Sequence, residues 1–486
     1  MHTVAIPTKD PMTSQKRQKP AHAFSIEDIR QRVVGVDVKV PLLNGARRPY
    51  VNFDNAATAP VLWDVMETID LFMPWYSSIH RGKGFKSEIS SQAYDQARAI
   101  VGQFFGADPA DQVVIFGKNS TEALNKAARR IGLTRDDVVL VSLMEHHSND
   151  LPWREQAQTV HIGLAPDGSL DMADVQRKFA EHAGRVRLLA ISGASNVTGF
   201  INPIHELAEL AHANRARILV DAAQLAPHRA IDMRPAADPG HLDFLVASGH
   251  KMYAPFGAGV LIGPRAVFAH GTPDYTGGGT VEIVTEDDVY WAGPPDRDEA
   301  GSPNVVGAVA MAAACKALTE IGMDRLAEHE ARLTAYALRE LSQIEGVEIY
   351  GDADPARAAE RLGVIPFNLR GVSHYLLAAI LGAEYGIGVR NGCFCAHPYV
   401  LHLLDIPDPV AWSWRKQVVA GFRAHLPGLV RLSFGCYNTE EEVDWLAAAL
   451  RKIARGEIMG NYVQDPASGA FHETAFHPDW SGCFKI

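Results

Sequence analysis

Apolar and polar residues alternate along the chain so that short, nearly all-apolar runs are separated by stretches of helical periodicity, which is how strands buried on both faces read. Strands are expected at 112–116, 138–143, 187–192, 218–220 and 242–246, the last broken only by Asp243. Helical patterns between them predict an α/β fold, with a mostly parallel sheet covered on both faces. After about Gly301 the rhythm changes, with long helical segments at 305–318 and 325–341 preceding strands at 347–350 and 364–369. That reads as a smaller C-terminal α+β domain over 306–455, following a large domain over 25–305. Residues 1–24 are polar, carry Pro7, Pro11, Pro20 and a basic cluster from Lys16 to Lys19, and read as a mobile arm. Ser25 ahead of Asp28 reads as a capped helix start leading to a first strand near Tyr50, in a segment free to join the smaller domain. Residues 456–486 form a C-terminal tail.

Composition narrows the function classes. A chain of 486 residues that is 47% hydrophobic buries a large core and has room for two or more units. A net charge of -11 argues against a nucleic-acid surface, which needs excess Lys and Arg. The longest apolar run, 305–315, is alanine-rich and fits a buried helix, so no membrane span and no signal-peptide core are expected. Cysteines at 315, 393, 395, 436 and 483 make no disulfide framework, and the expected compartment is the reducing cytoplasm.

The chemistry begins at Lys251, in SGHK directly after the run 242–246, where an α/β sheet presents its strand ends. A lysine there, among small neighbours and a hydroxyl and an imidazole, suits a Schiff base with an aldehyde cofactor; alone, the match also fits a loop lysine. Upstream, ARILVDAAQLAPH ends a second strand at Asp221, with Gln224 three residues on. A buried aspartate needs a cationic or hydrogen-bonding partner, and the pyridinium nitrogen of pyridoxal phosphate is one; a helix N-cap is the competing reading. In FGKNSTEALN, Ser120 and Thr121 open a helix, where free N–H groups and hydroxyls either cap the helix or cradle a phosphate.

These stretches stand in order with VNFDNAATAP, HRGKGFKSEIS, MEHHSNDLPW, SNVTGFINPI, DEAGSPN, VRNGCFCAHP and RLSFGCYNTEEEVDWL. Together they resemble the class V, fold-type I pyridoxal-phosphate enzymes, specifically the cysteine desulfurases and selenocysteine lyases, from about Val51 to about Leu450. The resemblance implies the fold-type I transferase architecture and pyridoxal 5'-phosphate bound through Lys251. It implies a phosphate held by Ser120, Thr121, Ser248 and His250, with Thr280, after three glycines, reaching the site of the other subunit of a homodimer. It implies His146 stacked on the cofactor ring and moving protons, and Gln224 and Asn196 near the ring oxygen. Asn55, Arg390 and Arg431 fall on the substrate side, Arg431 clamping the carboxylate of an amino acid.

The choice of nucleophile lies between Cys393 and Cys395. A CxC pair first suggests a metal, but no further cluster of structural-zinc spacing accompanies it beyond His397, so no metal is expected. A disulfide between them would be strained. An inert thiol or a nucleophile remains, and Arg390 nearby favours a thiolate. By resemblance Cys395 is the persulfide-forming cysteine, ahead of Cys393, although GCFC is also similar to molybdenum-cofactor sulfurases. The implied reaction turns L-cysteine into L-alanine with a persulfide on Cys395, for delivery to a sulfur-acceptor protein. A selenocysteine lyase, another class V epimerase or aminotransferase, and a non-catalytic scaffold are the alternatives. The span from Cys395 to Arg431 is longer than in typical relatives and holds Trp412, Trp414, Arg415, Lys416 and Arg423.

Overall fold

All-apolar pentads cannot face water on either side, and in the computed structural model, which describes residues 25–80, 82–478 and 481–485, they form the middle of a seven-stranded sheet. The expected arm over 1–24 lies outside the described residues. In chain order the strands are β1 (Gln112–Gly117), β2 (Val138–Ser142), β3 (Gln158–Ile162), β4 (Val186–Ser192), β5 (Arg217–Asp221), β6 (Phe244–Ser248) and β7 (Gly259–Pro264). Their spatial order is β1-β7-β6-β5-β4-β2-β3. β7 runs antiparallel to both neighbours and every other pair is parallel. Ser192 pairs with Asp221, and Asp221 with Val246, so the carboxyl ends of β4 and β5 lie level and β6 runs on past them to Ser248. Ligands of open α/β sheets gather along such an edge.

Successive residues point to opposite faces, and the helices divide accordingly. The principal helices are α1 (Phe85–Phe104), α2 (Ser120–Arg130), α3 (Ile204–Ala213), α4 (Val305–Ile321), α5 (Met323–Ser342) and α6 (Asp408–Val419). Leu140, Leu189 and Val220 pack with α1, α3 and α4. Val139, Leu188 and Leu219 pack on the other face with Ala123, Leu124 and Ala127 of α2. Each fully buried Leu or Val contributes about 1.5–3 kcal/mol. No single helix among the described residues is long and apolar enough to cross a membrane.

Residues 306–321 were expected in the smaller unit, yet Val309, Met311 and Leu318 of α4 belong to the core of the large sheet. The chain turns at Gly322, whose φ of 98° suits glycine, and α5 then supplies Leu333 and Leu338 to a second core. That core covers a four-stranded antiparallel sheet of β8 (Val347–Ile349), β9 (Val364–Leu369), β10 (Arg390–Gly392) and β11 (Leu429–Ser433), in the order β8-β9-β11-β10. Val51–Asn52 pairs in parallel with Ile387–Gly388, and Phe53 meets Phe434 edge-on at 5.5 Å. The chain from Asp54 to Ala57 is thereby held between the two cores.

The long span before β11 contains α6, and it is braced by a C-terminal hairpin of β12 (Tyr462–Gln464) and β13 (Phe471–Glu473). Gln464 Nε2 donates to Ala424 O at 2.9 Å, and Arg423 N to Pro466 O at 2.9 Å.

Candidate active site

A cavity of ≈ 320 Å³ opens at the carboxyl ends of the strands, where the segment 54–57 and the loop after β10 close over the sheet. Lys251 stands in it, one turn beyond β6. Burial pushes its amine down to about 8; Asp221 opposes that shift and Arg431 adds to it. Asp221, at the end of β5, is buried and accepts from Ala223 N at 3.0 Å. Burial raises its carboxyl, and Lys251 works the other way. Gln224 Nε2 donates to Ala56 O at 2.7 Å, tying the segment 54–57 to the sheet.

At the far wall α2 begins. Asn119 caps it by accepting from Glu122 N, which leaves the Ser120 and Thr121 hydroxyls available to the cavity. Ser120 N donates to Ser248 Oγ at 2.7 Å, Ser248 Oγ lies 3.0 Å from Ser120 Oγ, and Thr121 Oγ1 lies 2.8 Å from Ser148 Oγ. This close approach depends on Gly259 at the start of β7, because a Cβ there would stand 2.5 Å from Asn119 Cα. His250 also lines the cavity, and burial, with Lys251 beside it, pushes its imidazole down to about 4.

His146 follows β2 on a loop held by a buried carboxylate. Glu145 accepts from Ser142 Oγ at 2.6 Å, Ser192 N at 3.0 Å and Asn149 Nδ2 at 2.7 Å, bracketing His146 from both sides. Burial raises the Glu145 carboxyl to about 7. His146 Nδ1 accepts from Ser148 N at 3.1 Å, so the proton of the neutral ring sits on Nε2. Burial and then Lys251 push His146 down to about 4, which keeps it neutral near pH 7.

Opposite the sheet, Arg390 and Arg431 pair across β10 and β11. Arg431 is 2% exposed; its Nη1 donates to Asn196 O at 2.9 Å, its Nη2 meets Asp54 Oδ1 at 3.1 Å, and its Nε has no protein partner. Arg390 Nη2 meets the other oxygen of Asp54 at 3.0 Å. The Arg431 guanidinium also sits 4.9 Å from the Phe394 ring, and Asn196 Nδ2 donates to Phe394 O at 2.8 Å. The cysteine loop is thus clamped to the arginine.

Phe394 and Cys395 take positive φ values of 53° and 56°, a backbone that costs non-glycine residues about 1–2 kcal/mol each. Cys395 is exposed and lines the cavity, and its carbonyl accepts from His147 N at 2.8 Å. Cys393 does not line the cavity; its Sγ lies 3.4 Å from Pro427 O, and burial pushes its thiol up to about 11.

Among the residues expected from sequence, all but two line this cavity. Asn55 does not: its amide donates to Asn52 O, Ser433 O and Asn438 Oδ1, and its Oδ1 accepts from Tyr437, so the group is spent tying the segment 52–55 to β11. Thr280 is fully buried in its own turn, where its hydroxyl donates to Gly277 O at 2.7 Å. The sequence reading missed Asp54, Ser148 and Glu145. Asp54 adjoins a quoted residue but its partners Arg390 and Arg431 are distant in sequence, and Glu145 combines the nearby Ser142 and Asn149 with the distant Ser192.

The fold and this cavity define a class: the chain belongs to the class-V aminotransferase family, whose model, Aminotransferase class-V, matches residues 51–446. Within it the chain is similar to a probable cysteine desulfurase of Halalkalibacterium halodurans, 34% identical over 419 residues, which are 84% of this chain and 94% of that protein. A cysteine desulfurase of Salmonella agona is 34% identical over 84% of this chain and 94% of its own length. In three dimensions the apo cysteine desulfurase of Thermococcus onnurineus superposes with a TM-score of 0.73 at 31% identity, covering 84% of this chain and 95% of that one. An Escherichia coli cysteine desulfurase in its S-sulfonic acid form gives 0.72 at 27% identity, covering 90% and 100%.

Proposed function

We propose that this chain is a pyridoxal 5'-phosphate-dependent cysteine desulfurase that converts L-cysteine to L-alanine and carries the sulfur as a persulfide on Cys395. The observation that carries the reading is an exposed thiol, Cys395, in one cavity with a buried lysine–aspartate pair and a buried arginine.

The residues present fit pyridoxal phosphate. Asp221 is buried with a single backbone donor, so a protonated ring nitrogen satisfies it. The start of α2 with three hydroxyls offers the N–H groups and dipole that a phosphate needs. Lys251, lowered to about 8, has an appreciable free-amine fraction near neutral pH, as attachment to an aldehyde requires. When bound, the cofactor supplies an electron sink beside the substrate Cα.

The chain's own groups do the rest. Arg431 holds the substrate carboxylate, offering its free Nε. Lys251 would hold the cofactor aldehyde and, as a free amine, would take the proton from the substrate Cα and give it back to Cα of alanine. His146, neutral with its proton on Nε2, would lie beside the bound ring as a proton donor. Cys395 thiolate attacks the sulfur of the substrate: an S–S bond forms, the Cβ–S bond breaks, and its electron pair stays with carbon, which is then protonated. The sum is L-cysteine and a thiol giving L-alanine and a persulfide, with no external oxidant. Cys395 carries this step rather than Cys393, because only Cys395 reaches the cavity and Cys393 is held protonated.

The exposed apolar residues Trp63, Leu71, Met73, Trp75 and Phe85, with Ile283 and Tyr290 on a hairpin, support a second copy of the chain as partner. Thr280 joins the partner's cofactor site only if its turn rearranges on assembly. Five free cysteines support a reducing compartment, the cytoplasm. A sulfur-acceptor protein completes the cycle. The test is release of alanine and sulfide from L-cysteine with a reductant present. Equimolar products support the reading; a cofactor-loaded protein that yields neither refutes it.

A further inference from the structure

At the amino end of β6, on the opposite edge of the sheet from Lys251, lies a group of side chains that the desulfurase reaction does not use. His212 comes from the last turn of α3, His241 from the loop between β5 and β6, and Asp243 directly precedes β6. Their ligand atoms lie within 4.8 Å of one another. His212 Nε2 is 2.9 Å from Asp243 Oδ2, and His241 Nε2 is 3.7 Å from Asp243 Oδ1.

The hydrogen bonds behind these atoms fix their electronic character. His212 Nδ1 is 2.7 Å from Pro239 O, and His241 Nδ1 is 2.7 Å from Asp238 O. A carbonyl only accepts, so in each ring Nδ1 carries the proton and Nε2 of the neutral ring presents a lone pair. Asp243 Oδ2 is oriented in turn by Ile218 N at 2.9 Å. Two imidazole lone pairs and a carboxylate therefore converge, each pre-aimed by a backbone group, which is the outer-shell arrangement of metal-ligating histidines. The rings stack with centroids 4.2 Å apart and planes 19° from parallel.

We propose that His212, His241 and Asp243 bind one divalent transition-metal ion of the zinc, cobalt or nickel type. Two imidazoles and one carboxylate suit such ions rather than calcium or magnesium. Bonds of 2.0–2.1 Å in a tetrahedral site set ligand atoms about 3.3 Å apart, and the two separations above lie on either side of that value. The side chains are 20%, 19% and 13% exposed, which leaves the remaining position to water. β6 is a five-residue strand, about 17 Å long, so the ion is remote from the cysteine chemistry. It would staple the end of α3 to the strand that positions Lys251.

The experiment uses the cofactor-loaded full chain with Cys393→Ser and Cys395→Ser, stripped by a chelator and titrated with Co²⁺ and with Zn²⁺. One equivalent of Co²⁺ per chain, with ligand-field absorbance and no thiolate charge-transfer band, is expected. Zn²⁺ should raise the unfolding midpoint, and His241→Ala and His241→Gln should each weaken binding at least about tenfold. No binding by the soluble, cofactor-loaded protein, a thiolate band, or affinity unchanged in both His241 variants would overturn the proposal.

Discussion

Arg431→Lys separates binding of the substrate carboxylate from the chemical step. In the wild type the guanidinium spends Nη1 on Asn196 O and Nη2 on Asp54 and leaves Nε without a protein partner, at 2% exposure. Burial lowers it to about 10, so it remains charged at neutral pH. A lysine ammonium keeps the charge but not the planar fork, and cannot serve Asn196, Asp54 and a bidentate carboxylate together. Losing one charge-assisted hydrogen bond costs about 1.5–3 kcal/mol, or about 10- to 150-fold in affinity. KM for L-cysteine and the inhibition constant of L-alanine, which has the carboxylate but no sulfur, should rise by similar factors within that range. Steady-state kinetics with alanine as a competitive inhibitor measures both. If kcat falls while both constants stay at wild-type values, Arg431 acts only by bracing the cysteine loop through Phe394, and the clamp assignment fails.

Further outcomes follow from the same geometry. Gly259→Ala forces the Asn119 backbone away from the phosphate cradle; a backbone clash of about 1–3 kcal/mol should weaken cofactor binding about 5- to 150-fold, read by equilibrium dialysis, whereas unchanged binding would remove the cradle from that wall. Because burial holds the Lys251 amine at about 8, its nucleophilic form grows as pH rises through 8. The rate of cofactor uptake by the apoprotein should climb across that range, and a rise centred near the ordinary lysine value would contradict the burial argument. Cys393→Ser should leave alanine release near wild type, since that thiol faces Pro427 and is held protonated; a loss comparable to removing Cys395 would make the two thiols a functional pair.

What could be read from sequence tracks how local each signal is. β2 and β6 are fully buried pentads, so apolar runs located them within a residue or two. β3 escaped because QTVHI is a sheet-edge strand with an exposed first residue and polar side chains. β7 escaped because it begins at a glycine and ends at a proline, both weak strand formers, although its interior is buried. In the site, Lys251, Asp221 and Cys395 sit in blocks whose order is visible along the chain. Asp54 is different: its partners Arg390 and Arg431 arrive only when the second core closes over segment 54–57. Asn55 shows the converse, a residue in a quoted block whose amide is consumed by Asn52, Ser433 and Asn438.

Mass spectrometry of the peptide containing Cys395 after a single turnover, with no reductant, asks directly where the sulfur goes. L-Cysteine added in one equivalent to cofactor-loaded enzyme should give one sulfur atom on Cys395 and one alanine per active site. Cys395→Ala should give neither the sulfur-bearing peptide nor a stoichiometric burst of alanine. Sulfur recovered on Cys393, or an undiminished burst from Cys395→Ala, would contradict the assignment of Cys395 as the nucleophile.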